Sequence, residues 1–229
     1  MQPYFLPYIG YFQLINYADI FVVYDDIQFT KKGWINRNLI PTKLGLFNFT
    51  IPCKASGEKS LIVEKIISPD FDRKKFLKRL LSELKNGANR TDNVEELLTH
   101  IVMYEESNLF RYLFHSITDI TSHLKMNKDK LLISSSLGDF THLRSQERVL
   151  AMCKTLNASK YVNPISGSHL YQREAFEREN IELNMFEPYI PQFENQEKTV
   201  PYSIMHSIFN LSEKELRAIM GKGVVKNVA

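Results

Sequence analysis

In "ADIFVVYDD" the residues Ile20 to Tyr24 form an unbroken apolar run, short and rich in β-branched side chains, with two carboxylates directly behind it. Such a run predicts a buried strand rather than a helix. Three later stretches, "KLLISSS", "KYVNP" and "IELNMFEP", read the same way, and between them lie the helical patterns "SQERVLAMCKTLN" and "HLYQREAFEREN". Strands that alternate with helices pair in parallel, because each helix carries the crossover. The expected architecture is therefore α/β, with a mostly parallel, Rossmann-like sheet and helices on both faces. A core of this kind fits within 229 residues, so a single domain over 1–229 is expected.

The middle of the chain breaks the alternation. From about 72 to 126 the pattern is helical, with Phe76, Leu77, Leu80, Leu81 and Leu84 at helical spacing, and Leu109, Leu113, Phe114, Ile117 and Leu124 on one stripe. This segment reads as a helical insertion. Elsewhere, Gly10 to about Tyr17 predicts a short helix, and "LFNFTIPC" a second strand closed by Pro52. "YSIMHSIFN" and "SEKELRAIMG" predict two final helices, the last capped by Ser212 and stopped near Gly221.

In open parallel sheets, ligands bind beyond the carboxyl ends of the strands. The segments at those positions here are "YFLPYIG", "DDIQFTKKGWINRN", "SSSLGDFTHLRSQER", "NPISGSHLYQ" and "EPYIPQF", each rich in aromatic, amide, hydroxyl or charged groups. Asp25 and Asp26 either end the strand as turn formers or present a carboxylate that binds Mg²⁺, accepts a proton or holds a sugar hydroxyl. Lys31, Lys32 and Arg37 lie near Trp34, a pairing that suits a phosphate next to a ring. Ser145, Gln146 and Arg148 open a helix, where unpaired N–H groups favour an anion. Ser145 reads as its N-cap, and Arg148 in the first turn opposes the helix dipole unless something binds it.

Several classes drop out. A formal charge of +3 falls short of a nucleic-acid footprint, although a local basic patch would suffice for a charged tRNA. The six histidines are scattered without an HExxH, so a metal site is not expected. GxSxG and Walker A patterns are absent. Cys53 and Cys153 sit in apolar contexts and read as free thiols. With no signal or membrane-spanning run, a cytoplasmic location without membrane insertion is expected.

The blocks "MQPYFLPYIGYFQLI", "DIFVVYDDIQFTKKGWINRNLI" and "RSQERVLAMCKTLNASKYVNPISGSHLY" resemble the WbqC-like protein family. The family's pattern falls on Gln2, Pro3, Pro7, Gly10 and Phe12, then on Asp25, Asp26, Gln28, Trp34, Asn36, Arg37 and Asn38, then on Gln146, Arg148, Tyr161, Asn163, Gly167 and Tyr171. Relatives usually carry a few apolar residues before "MQP", so the first strand is expected to be short or to start upstream. His206 stands where an aspartate is common.

Members accompany genes for bacterial O-antigen and other polysaccharides, and the family is described as including a glycine transferase. The resemblance thus implies transfer of a glycyl or other small acyl group to the amino group of a nucleotide-linked aminosugar, in lipopolysaccharide or other surface-polysaccharide biosynthesis. Under that reading Asp25 or Asp26 is catalytic, while Lys32, Arg37 and Arg148 bind phosphates. Trp34, Tyr4, Tyr8 and Tyr11 then hold rings. A more distant likeness places "YIGY" at Tyr8 to Tyr11 where nucleotidylyltransferases of the HUP class carry "HIGH". It implies instead a nucleotidyl-transferring or adenylate-forming enzyme that uses ATP and Mg²⁺. A non-catalytic protein that binds nucleotide sugars is the third reading. The donor, the cofactors and the oligomeric state stay open.

Overall fold

The computed structural model describes residues 1–193 and 201–227. Its strands form three small sheets where the sequence predicts one larger sheet. β1 (Phe21–Val23) pairs in parallel with β4 (Leu131–Ile133), Val22 lying opposite Leu132. Met1 also joins β1: its N donates to Val22 O at 2.7 Å, and its O accepts from Tyr24 N at 2.8 Å. The opening stub thus continues the sheet as expected, but Pro3 has no N–H with which to extend the ladder.

β5 (Lys160–Pro164) runs parallel to β6 (Glu182–Glu187), and β7 (Val224–Asn227) pairs antiparallel on the far edge of β6. Strand order and direction are therefore of the expected α/β kind in two places. The two parallel pairs remain separate sheets, since β1 and β4 are only three residues long and offer few ladder bonds.

β2 (Arg37–Thr42) and β3 (Gly45–Thr50) form an antiparallel hairpin, of which only the second strand was legible. Pro41 argues against a strand in the sequence. Here it is accommodated opposite Leu46, near the turn, where a missing donor costs least.

The helices of the middle segment start at side-chain caps. α1 (Ile9–Tyr17) precedes β1. The helical segment consists of α2 (Arg73–Glu83), α3 (Asp92–Met103) and α4 (Leu109–His123). The side chains of Asp72, Thr91 and Asn108 accept from Lys75 N, Val94 N and Arg111 N, satisfying donors that the first helical turn leaves unpaired.

α5 (Ser145–Thr155) lies between β4 and β5. α6 is only Arg173–Glu177, shorter than its pattern suggests, because Ile165–Leu170 winds as a 3-10 turn instead. α7 (Ile204–Asn210) and α8 (Glu213–Met220) close the chain's helices, and α8 has the expected capping box between Ser212 and Glu215.

One apolar cluster joins Phe5, Leu6 and Phe12 of the opening to Ile40 of the hairpin, Leu113 of α4 and Ile208 of α7, all fully buried. Side chains of this size contribute roughly 1.5–3 kcal/mol each on full burial. A second cluster, under β5 and β6, gathers Val149 and Cys153 of α5 with Phe176, Leu183 and Met185. Gln13 crosses the first core: its Nε2 donates to Tyr189 O and Ile219 O at 2.9 and 3.0 Å, while its Oε1 accepts from Tyr189 N at 2.9 Å. α1 is thereby tied to both the segment after β6 and the end of α8. Among the described residues, no helix is long and apolar enough to cross a membrane.

Candidate functional site

Asp25 and Asp26 leave β1 at its carboxyl end and are both buried. They meet the serine run that follows the neighbouring parallel strand. Asp25 Oδ1 accepts from Ser134 Oγ at 2.8 Å and from Ser135 N at 3.1 Å, and Asp25 Oδ2 accepts from Ser135 Oγ at 2.6 Å. Ser134 Oγ also reaches Asp26 Oδ1 and accepts from Asp25 N at 3.2 Å. A single hydroxyl proton is thus shared between two carboxylates. A carboxylate offers about four lone-pair sites, and among the described residues these contacts occupy three on Asp25, leaving one on Oδ2.

Arg148 completes the cluster. Its Nη2 pairs with Asp26 Oδ1, its Nη1 donates to Asp26 O at 3.4 Å, and its Cζ lies 5.1 Å from the centre of the Tyr24 ring. Both partners of the ion pair are under one-tenth exposed. The Nε of Arg148 is buried and has no acceptor among the described residues. A buried donor left unpaired costs about 1–3 kcal/mol.

The arginine stands in the first turn of α5, where it opposes the helix dipole, and the Asp26 carboxylate is what holds it there. Ser145 is not the cap that its position suggested. Arg144 occupies the cap position without a side-chain bond, and Ser145 has φ +40°, a strained left-handed backbone three residues before Arg148.

A tyrosine group borders the acid cluster. Tyr161 of β5 places its hydroxyl 3.2 Å from Asn163 Oδ1 and 3.2 Å from the Tyr171 hydroxyl. Burial, and then the neighbouring Tyr171, hold the Tyr24 phenol well above its ordinary range. Burial does the same for Tyr161. Both keep their protons at neutral pH. Gln146 Oε1 accepts from Gln172 N at 2.6 Å, which fixes the segment carrying Tyr171. A side chain at Gly167 would meet Asn163 Nδ2 at 2.5 Å, so any larger residue there displaces the asparagine amide.

The remaining sequence candidates lie elsewhere or serve the scaffold. Asn36 Nδ2 donates to Ile51 O at 2.7 Å across the base of the hairpin. Asn38 Nδ2 donates to Phe5 O and Leu6 O at 3.1 and 2.7 Å, holding the opening where Leu6 adopts φ +49°. Arg37 caps its own turn, its Nε donating to Gly33 O at 2.8 Å and its Nη2 to Lys32 O, with Trp34 against its guanidinium. Lys32 and Trp34 are exposed. Gln28 is also exposed and donates to Glu58 O at 2.8 Å.

The opening aromatics are mainly core. Tyr11 is 1% exposed and packs edge-on against Tyr4, Phe12 and Phe21, and its hydroxyl has no partner among the described residues. Tyr4 is half-buried and reaches Gln2 Oε1 at 3.4 Å. Gly10 is bare because the Tyr8 ring and Pro188, the latter 2.6 Å from where a side chain would begin, already fill its space.

Of the sequence candidates, the fold therefore gathers Asp25, Asp26 and Arg148, with Asn163 and Tyr171 alongside. Sequence reasoning did not single out Ser134, Ser135 or Tyr24. The available signal was a run of hydroxyls directly behind the strand "KLLI" and a tyrosine directly before the aspartates.

The buried carboxylate pair at the end of a parallel strand and the arginine that binds it lie within the blocks that carry the family resemblance. The model of the WbqC-like protein family matches residues 2–218, and the chain belongs to that family. It is also similar to an uncharacterized protein of Mycobacterium tuberculosis, Rv1507c, at 26% identity over 197 residues, covering 82% of this chain and 80% of the relative. No solved structure matches it.

Proposed function

We propose that the chain is a transferase that moves a glycyl or other small acyl group from an activated donor to the amino group of a nucleotide-linked aminosugar. The observation that supports this reading best is the division of labour in the carboxylate pair. Asp26 has its charge engaged by Arg148, whereas among the described residues Asp25 meets only neutral donors, with one of the sites on Oδ2 unused. An amine attacks a carbonyl only through its lone pair, so the proton it sheds needs a fixed acceptor. In the reaction the amine nitrogen forms a bond to the acyl carbon, the bond from that carbon to the donor's leaving group breaks, and Asp25 takes the proton. The unpaired Nε of Arg148 suits an anionic oxygen of the substrate, and Tyr24, Tyr161 and Tyr171 provide neutral hydroxyls and flat faces.

Nucleotidyl transfer at the "YIGY" segment is less well supported. That chemistry needs a nucleotide to approach the backbone at Gly10, and the space there is filled by Tyr8 and Pro188, with Tyr11 in the core. The discriminating experiment is mass spectrometry of reactions containing nucleotide-linked aminosugars, glycine, ATP and charged tRNA or a thioester, with one component omitted at a time. Acylated product without transfer of a nucleotidyl group supports the reading. Pyrophosphate release with a nucleotidylated product refutes it, and saturable binding without turnover across the panel favours a binding protein.

A further inference from the structure

The helical segment between β3 and β4 brings together three metal-ligating side chains whose sequence spacing hides them. His115 and Asp119 lie one turn apart on α4, and His100 faces them from α3. His100 Nδ1 is 2.8 Å from Asp119 Oδ2, and His115 Nε2 is 3.2 Å from the same oxygen. The three ligand atoms all fall within 4.8 Å of one another. Although close to Asp119, His115 Nε2 is buried and makes no hydrogen bond of acceptable geometry. Tyr104 stacks on the His115 ring with 3.7 Å between centroids, fixing its plane. His100 is the adjustable member, with 67% of its side chain exposed, while His115 and Asp119 are 21% and 20% exposed.

We propose that His100, His115 and Asp119 form a binding site for a divalent transition ion of the Zn²⁺ class, clamping α3 to α4. Two nitrogens and one carboxylate oxygen are a donor set that zinc accepts, and a fourth position is left to water by the exposure of His100. Ligand atoms of a tetrahedral zinc site stand about 3.3 Å apart, given bonds of about 2.0–2.1 Å. Two of the three separations here are already 2.8 and 3.2 Å. All three ligand atoms lie within 4.8 Å of one another, and rotation of the exposed His100 side chain is the adjustment the site requires. The bland account of the same geometry is a carboxylate accepting from two imidazoles, and it predicts no affinity for a metal. The cluster shares no residue with the Asp25 site, so its role is to fasten the two helices.

Titration of the full-length protein with Zn²⁺ by calorimetry, and with Co²⁺ by visible absorption, tests this. The expected result is one equivalent bound, Co²⁺ bands of a nitrogen- and oxygen-ligated four-coordinate centre, and a rise in the unfolding temperature on adding Zn²⁺. His100→Gln and Asp119→Asn should each weaken binding at least tenfold and remove the thermal shift, while far-ultraviolet circular dichroism stays that of the native chain. His100 is exposed enough for its variant to fold, so the test survives even if the Asp119 variant does not. Absence of binding at millimolar Zn²⁺, or binding unchanged in His100→Gln, overturns the proposal; the second outcome would place the ion elsewhere.

Discussion

Replacing Arg148 by methionine removes one partner of the buried pair and keeps most of the side-chain volume. Asp26 and Arg148 are 7% and 6% exposed. By contrast, the side chains of the Arg173–Glu177 pair on α6 are 50% and 55% exposed. An exposed pair of that kind contributes about 0–1 kcal/mol, whereas stranding one member of a buried pair costs about 3–5 kcal/mol. Against a typical total of about 5–15 kcal/mol, Arg148→Met should bring the protein close to its limit. Arg148→Lys, which keeps the charge, should lose less.

Urea unfolding monitored at Trp34 and by circular dichroism gives the comparison, provided the slope with denaturant is unchanged. Asp26→Asn in the Arg148→Met background should restore part of the loss, because the second change removes the stranded charge. The two variants should then be non-additive by about 0.5–3 kcal/mol. A loss below 1 kcal/mol for Arg148→Met, or strict additivity, would falsify the claim that this pair is desolvated and organises the site.

Asn38→Ala leaves the buried carbonyls of Phe5 and Leu6 without their donor, so a loss of about 2–4 kcal/mol is expected by chemical denaturation. Burial lowers His206 to a pKa of about 4, against an ordinary value near 6.5. The unfolded chain therefore binds the extra proton first. The stability from neutral His206 is complete above pH 6.5 and declines as pH falls toward 4, by about 3 kcal/mol in all. His206→Asn should flatten that part of a pH series of unfolding temperatures, and an unchanged slope would refute it. Burial pushes the Cys153 thiol up to about 11, so at pH 8 iodoacetamide should leave Cys153 unmodified under conditions that alkylate a free thiol completely. Peptide mapping reads this directly.

Elements with strong local signals were legible in the sequence. α3 and α8 are set by Thr91 and Ser212 at their starts, and β1 by an apolar run with carboxylates behind it. Elements made by tertiary context were not: β2 carries Pro41, and β7 is a mostly exposed edge strand that depends on β6 for its pairing. The single sheet expected from the strand–helix alternation divides into three, since β1 and β4 are only three residues long and offer few ladder bonds.

At the site, Asp25, Asp26 and Arg148 were legible because each breaks a local rule, two charges directly behind a buried strand and a cation in a first helical turn. Ser134 and Ser135 break none and were passed over. Asn36 and Asn38 lie in the same motif as the aspartates, yet they serve the backbone; a motif does not separate residues that touch a ligand from residues that position the chain. The histidine cluster was hidden because His100 and Asp119 are 19 positions apart on different helices.

The most direct measurement is acyl transfer to a nucleotide-linked aminosugar by the intact protein and by Asp25→Asn, Asp26→Asn and Ser135→Ala, followed by mass spectrometry of the sugar. On the proposed reading Asp25→Asn loses the proton acceptor and should lower turnover by about 10²–10⁴-fold. Ser135→Ala, which only loosens the carboxylate, should fall between that variant and the intact chain. Full turnover by a folded Asp25→Asn variant would contradict the assignment.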